Sequence, residues 1–188
     1  MERGHGSNVS LRVWVRASNA VDADLRVYLE RASAAHQPRD AVHLRHQELV
    51  ARTAQPGSWQ PMAEQGLGGA GVADLLLGRP GELALVEVWD WFADVGDAFR
   101  SWDRKLERLA ARDDEQVSGC WAVRATRRNR ALIRTHATLF TARFPGSGTA
   151  WLAAFADPQQ PMPGQPALVW VSVSDDRLIA ARGRATRP

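Results

Sequence analysis

Apolar residues recur along the chain with two different spacings. Between 71 and 77, and again between 82 and 89, they run nearly unbroken: Val72, Ala73, Leu75, Leu76 and Leu77, then Leu83, Ala84, Leu85, Val86 and Val88. Two short β-rich runs separated by Gly78-Arg79-Pro80-Gly81 predict a hairpin. From 92 to about 112 the spacing changes. Phe99, Trp102, Leu106 and Leu109 recur every three or four residues, the stripe of an amphipathic helix. Residues 119–123 predict a buried strand, and 127–144 a further helix stopped by Pro145-Gly146. Ser147 then caps a short helix through 155. Runs at 167–173 and 177–181, joined through Ser174-Asp175-Asp176, predict a closing hairpin.

The N-terminal third is less regular. Residues 1–9 read as a loose tail, and 11–16 alternate apolar with basic residues, a weak strand signal. Asp22 or Asp24 opens a helix through about 35, with Leu25, Tyr28, Leu29 and Ala32 in helical register. Asp40 caps a second helix carrying Val42, Leu44, Leu49 and Val50, ended by Gln55-Pro56-Gly57. Residues 59–64 predict a strand whose Pro61 suits an edge. No internal repeat is present. The order helix, three strands, helix, strand, helix belongs to an α/β or α+β chain. We expect an N-terminal tail over 1–20 and a single domain over 21–188.

Composition narrows the class. The 188 residues are 45% hydrophobic and 24% charged, which excludes a largely disordered chain, a collagen-like repeat and a disulfide-stapled miniprotein. No apolar run approaches the roughly 20 residues of a membrane helix. Residues 1–20 lack the apolar stretch of a secretory signal, so a soluble, cytoplasmic protein is expected. Cys120 is the only cysteine and lies in an apolar strand, so it reads as core. The net charge is only +3, but 23 of the 24 basic residues are arginine and Lys105 is the only lysine. Arginine suits bidentate phosphate contacts, although GC-rich coding enriches it as well.

The hairpin carries the candidate chemistry. Folded about Pro80-Gly81, it sets Asp74 opposite Glu87, with Cβ atoms about 5 Å apart on one face. Trp89 shares that face, while Val86 and Val88 point away. Two carboxylates inside apolar strands are costly unless paired, protonated or bound to metal. Close carboxylates with water suit Mg²⁺, and a bound Mg²⁺ activates water against a phosphodiester. The plain alternative is a pair solvated at the strand ends or bonded to an arginine.

The segments Gly71-Val72-Ala73-Asp74-Leu75-Leu76-Leu77 and Leu83-Ala84-Leu85-Val86-Glu87-Val88 resemble the core of the restriction-endonuclease-like, PD-(D/E)XK, superfamily. Asp94-Val95-Gly96 resembles the turn into the following helix in a bacterial nuclease-like group, often joined to Xre-type helix-turn-helix regulators. Arg127-Arg128-Asn129-Arg130-Ala131-Leu132, with Arg143-Phe144-Pro145 after it, is similar to the next helix in actinobacterial members. The resemblance covers about 40–182. It implies an αβββαβ core with a mixed sheet, an extra N-terminal helix and a C-terminal hairpin. Asp74 and Glu87 would then be the catalytic metal ligands, with Mg as the cofactor. Trp89 stands where that family has its lysine. Losing one such stabiliser costs on the order of 10²–10³ in rate.

Lys105 lies 11 residues after Asp94, about 16 Å along a helix at 1.5 Å per residue, which places it too far away to replace the missing lysine. No Asp or Glu occurs between Gln116 and Ala156. There Arg127, Arg128 and Arg130 either meet nucleic-acid phosphate or form a solvated basic face. His43 and His46, with Glu48 nearby, lack a third zinc ligand and read as an exposed helix face. The glycine-rich stretch 66–71 lacks the Gly-Lys-Ser/Thr ending of a nucleotide loop. Trp59, Trp102, Trp121 and Trp151 fall on apolar faces. No helix-turn-helix is evident.

These readings lead to a degenerate, noncatalytic nuclease-like module, acting in nucleic-acid binding or transcription-related regulation. One alternative is a Mg-dependent nuclease using Asp74 and Glu87, which requires a wet pocket with a cation in reach. The other is a protein-interaction or oligomerisation module, with a regulatory partner covering Trp89 and Trp91.

Overall fold

Pro80 and Gly81 close a two-residue turn, with Gly81 at a φ of 76° that suits glycine there. On either side run strand β2 (Val72–Arg79) and strand β3 (Glu82–Trp89), paired antiparallel from Arg79↔Glu82 to Leu75↔Val86. This hairpin supplies the second and third strands of a six-stranded mixed sheet in the order β1-β2-β3-β4-β5-β6. Strand β1 (Gln60–Gly66) is an antiparallel edge. Strand β4 (Gln116–Arg124) and strand β5 (Ala167–Val171) continue parallel from β3, and the short β6 (Leu178–Ala180) closes the far side antiparallel.

The computed structural model describes residues 11–21, 39–92, 94–111 and 115–181. The chain divides into two units, Met1–His36 and Gln37–Pro188. In the first, helix α1 (Leu11–Ala20) replaces the strand expected over 11–16. The alternation there is also compatible with helical spacing, with Leu11, Trp14 and Val15 at i, i+3 and i+4. A helix also satisfies its own backbone locally, whereas a strand needs a neighbour. The helix expected from Asp22 or Asp24 lies outside the described residues.

In the second unit the fold is α/β. Helix α2 (Arg39–Ala54) and helix α6 (Gly148–Ala156) cover one sheet face. There Leu49, Val50, Trp151 and Phe155 join Leu75, Leu77, Val86, Val88, Cys120 and Val169 in one core cluster. Helix α3 (Val95–Ala110) covers the other face with helix α5 (Ala137–Arg143). Trp121 is the hub of that second core. Phe99 stacks on it at 5.3 Å, Phe144 lies at 4.8 Å and Trp102 meets it edge-on at 6.1 Å. Aromatic pairs of this kind each add about 0.5–1.5 kcal/mol beyond area burial. The four tryptophans expected on apolar faces are all fully buried.

Two boundaries differ from the sequence expectation. Helix α3 begins at Val95 because the Asp94 side chain accepts the Asp97 N–H as its N-cap. The long helix expected over 127–144 breaks at His136 (φ −108°, ψ 31°) into helix α4 (Arg127–Thr135) and α5. The run Thr135-His136-Ala137-Thr138 contains three weak helix formers, so packing of Phe140 and Phe144 on the α3 side decides the direction.

Candidate active site

The β2–β3 ladder stops one pair short of Asp74 and Glu87. Beyond Leu75 the strands exchange side chains for ladder bonds. Asp74 Oδ2 accepts the Val88 N–H at 2.8 Å, and the Asp74 N–H points to Glu87 Oε1 at 3.4 Å. Strand β2 changes phase here. Ala73 belongs to the α3-side core, yet Leu75 belongs to the α2-side core two residues later. Strict alternation would put both on one face, so Asp74 sits at a bulge-like step. The adjacent position on β1, Glu64, takes a φ of 50°. Asp74 and Glu87 therefore lie beside each other off the end of the ladder, at a step in β2 rather than as the regular cross-strand pair expected, and both line one cavity.

From the α3 face comes Lys105. Glu87 continues the Leu83–Leu85 alternation toward that helix, and Lys105 Nζ donates to its Oε2 at 2.6 Å. Both residues are buried, Glu87 3% and Lys105 6% exposed. This corrects the expectation that Lys105 is out of reach. That expectation let the helix start at the carboxylates and run straight away from them. Instead Phe99 and Trp102 pack on Trp121 of β4, while Lys105 reaches Glu87 of β3 and its Cε lies 4.0 Å from the Cβ position of Gly71, just before β2. The helix thus crosses the sheet obliquely and returns toward the two carboxylates.

From the α2 face come His43 and Gln47, one turn apart. His43 Nε2 lies 3.5 Å from Asp74 Oδ1. The buried Gln47 amide donates to Glu64 Oε1 at 2.5 Å and to the Asp74 carbonyl at 3.1 Å. A cavity of about 410 Å³ is lined by His43, Asp74, Glu87, Trp89, Trp91, Ser101 and Lys105, among others. Burial, with Asp74 alongside, pushes the Glu87 carboxyl up to about 7, while the Lys105 ammonium pulls it back down. The hydrogen bond to Asp74 raises His43 above its ordinary value, with burial opposing.

Trp89 does not replace a lysine electrostatically. Its ring stacks on Phe92 at 5.0 Å and lies 5.1 Å from Trp121, so it walls the cavity from within its own chain. Its buried indole N–H has no hydrogen-bond partner among the described residues.

The exposed-face reading of the histidines is also corrected. His43 lines the cavity, and His46 is fully buried, with Nε2 2.9 Å from Asp175 Oδ1. Three residues along a helix differ by about 60° in direction, enough for two sites. Asp175 also receives Arg124, which bonds to Asp90 as well, so the ends of β3 and β4 are tied to the β5–β6 turn.

The arginines divide. Arg143 pairs with Asp103 of α3. Arg127, Arg128 and Arg130 are exposed and pair with no carboxylate among the described residues. Arg128 lies 5.6 Å over Trp91 and Arg130 4.6 Å over Trp170. Cys120 is buried core, where desolvation pushes its thiol up.

Sequence reasoning reached Asp74 and Glu87 and missed Gln47, Glu64 and the role of Lys105. A signal for Lys105 existed: it is a lone charge inside the Trp102–Leu109 apolar stripe. For Gln47 the only signal was its place one turn after His43, and for Glu64 there was none. No family model matches the chain, and no curated protein or solved structure gives a significant match. Among the described residues no helix is long and apolar enough to cross a membrane.

Proposed function

We propose that the chain is a divalent-cation-dependent phosphodiesterase acting on nucleic acid, with a restriction-endonuclease-like core whose lysine comes from the helix after the carboxylate strands. The observation that carries this reading is the meeting of Asp74, Glu87 and Lys105 in one cavity. Loss of the motif lysine at Trp89 argued for a retired site; a buried ammonium beside the same carboxylate offsets that loss.

The donor set suits a hard cation. Val88 N–H bonds to Asp74 Oδ2, Lys105 to Glu87 Oε2, and the Asp74 N–H approaches Glu87 Oε1 at 3.4 Å, so Asp74 Oδ1 and Glu87 Oε1 keep lone pairs for a cation. Two carboxylate oxygens with water in the other positions is an arrangement Mg²⁺ accepts. When bound, such a cation lowers the pKa of water and withdraws charge from a phosphoryl oxygen. Lys105 fixes the Glu87 carboxylate and places a positive charge where negative charge develops. Arg127, Arg128 and Arg130 follow the end of β4 and offer contacts to the phosphates of a bound strand. A protein-interaction role has less support, because Trp89 packs its ring on Phe92 and Trp121 of its own chain.

The test is cleavage of plasmid and single-stranded DNA with Mg²⁺ or Mn²⁺. Wild type should cut, and Glu87→Gln and Lys105→Met should each lose on the order of 10²–10³ in rate. A folded wild type that cuts nothing restores the retired-site reading. In that case Arg127→Ala/Arg128→Ala/Arg130→Ala should weaken DNA binding and reduce its salt slope by about 2–3. An unchanged slope would remove nucleic acid as the partner.

A further inference from the structure

Beside the Asp74–Glu87 pair, a second group of ligand atoms converges from three separate elements. His43 of α2, Glu64 of β1 and Asp74 of β2 each offer one atom, and these atoms all lie within 4.8 Å of one another. Ligands about 2.1 Å from one octahedral cation are about 3 Å apart when adjacent and about 4.2 Å when opposite. The 3.5 Å between His43 Nε2 and Asp74 Oδ1 falls inside that range. Small rotations of exposed Glu64 would bring in the third ligand.

We propose that His43, Glu64 and Asp74 form a second cation position, distinct from the Asp74–Glu87 position and selective for transition-type divalent ions such as Mn²⁺ over Mg²⁺. The proposal rests on the phosphodiesterase reading only in sharing Asp74, one carboxylate placed to serve both positions. The selectivity follows from the donors. Imidazole suits first-row transition ions, whereas Mg²⁺ prefers oxygen and gives up its water reluctantly. Gln47 acts as a positioning residue. It is buried, and its amide nitrogen bonds to Glu64, to the Asp74 carbonyl and, at 3.2 Å, to His43 Nε2, so it gathers all three ligand residues and turns away from that imidazole nitrogen when a cation binds. Outer partners of this kind typically contribute 10–100-fold to metal affinity.

A simple His43–Asp74 ion pair is the competing account, and it requires no cation. Direct Mn²⁺ binding separates the two, because its readout does not depend on catalysis. Wild type should bind two equivalents of Mn²⁺, counted by loss of the free-ion paramagnetic signal, with Mg²⁺ competing for only one. His43→Ala and Glu64→Gln should each leave one equivalent, or weaken the second at least about tenfold. Glu87→Gln should keep the Mg²⁺-resistant equivalent. Glu64 is exposed, so Glu64→Gln decides the matter should His43→Ala fail to fold. Wild-type stoichiometry and affinity in the folded Glu64→Gln variant overturn the proposal, as does a wild type that binds no Mn²⁺. Two Mn²⁺ equivalents without DNA cleavage would sink the phosphodiesterase reading and leave this position standing. Cleavage with unaltered Mn²⁺ binding in the His43 and Glu64 variants would do the reverse.

Discussion

Lys105 Nζ sits 2.6 Å from Glu87 Oε2, across 18 residues of chain, and both side chains are almost wholly out of water. An ammonium and a carboxylate buried together are held more by the lack of alternatives than by a net gain. Their attraction offsets a desolvation penalty of several kcal/mol per ion, and removing one partner leaves the other exposed to that penalty.

Lys105→Met should therefore show a loss of stability that depends on pH. Without the ammonium, the Glu87 carboxyl moves above about 7, because Lys105 is what pulls it down. At pH 5.5 the variant can bury a neutral acid, at little cost. At pH 8 the variant's folded state keeps a proton that wild-type Glu87, at about 7, has largely released, and the added loss should approach about 1.4 kcal/mol. Urea unfolding at the two pH values measures this, and equal losses at both would mean that Glu87 does not inherit the penalty.

The wild type should itself lose stability as pH rises. Glu87 is raised from 4.5 to about 7, so between those values the folded chain keeps a proton the unfolded chain has lost. His43, raised above 6.5, contributes stability below that value and loses it as pH climbs through its folded pKa. Both groups slope the same way, facing Asp74, Glu64 and Lys105. With a chelator present, unfolding free energy should fall from pH 5 to pH 8. Cation binding needs the ionised carboxylate, so near pH 6.5 Mn²⁺ should release protons and flatten that slope. Calorimetric titration in two buffers of different ionisation enthalpy counts the protons; a count of zero argues against Glu87 as a ligand.

Asp175 ties fully buried His46 and the end of β4 to the β5–β6 turn. Asp175→Ala should lower stability by about 2–4 kcal/mol, through loss of a buried polar partner and of a residue tolerant of its φ of 57°. Asp175→Asn keeps a hydrogen-bond acceptor and that tolerance, so it should lose markedly less. Thermal melting of the two variants side by side gives the comparison.

Gly119 marks the closest approach in the sheet. A Cβ there would lie 2.2 Å from the Leu85 carbonyl and 2.7 Å from the Trp102 ring. Gly119→Ala should cost several kcal/mol or prevent folding, since β3 and β4 would have to separate under helix α3. Gly69→Ala, with nothing within 4 Å of its Cβ, should stay within about 0.5 kcal/mol of wild type. Urea unfolding of the pair tests whether the packing of α3 sets the limit.

Much of the second unit was legible in the sequence because strand and helix periods are local. The Pro80-Gly81 turn fixed the β2–β3 register as far as Leu75↔Val86, which leaves Asp74 and Glu87 next to each other just past the end of the ladder. Where a local reading failed, more than one backbone conformation satisfied the same spacing. Residues 11–16 alternate as a strand would but fold as a helix, and 127–144 carry one helical period across a break at His136.

By itself, then, the sequence determined the elements of the sheet, the hairpin register and the carboxylate pair, since each follows from side-chain alternation and turn chemistry over a few residues. Only the tertiary structure decided which groups join that pair. The oblique path of α3 depends on Phe99 and Trp102 seating on Trp121 over the bare backbone of Gly119. The approach of His43 and Gln47 depends on α2 packing across the opposite face. Spacing along one helix gives the distance between its own residues, but the angle at which it crosses a sheet comes from how distant side chains interlock, and that angle carries Lys105 to Glu87.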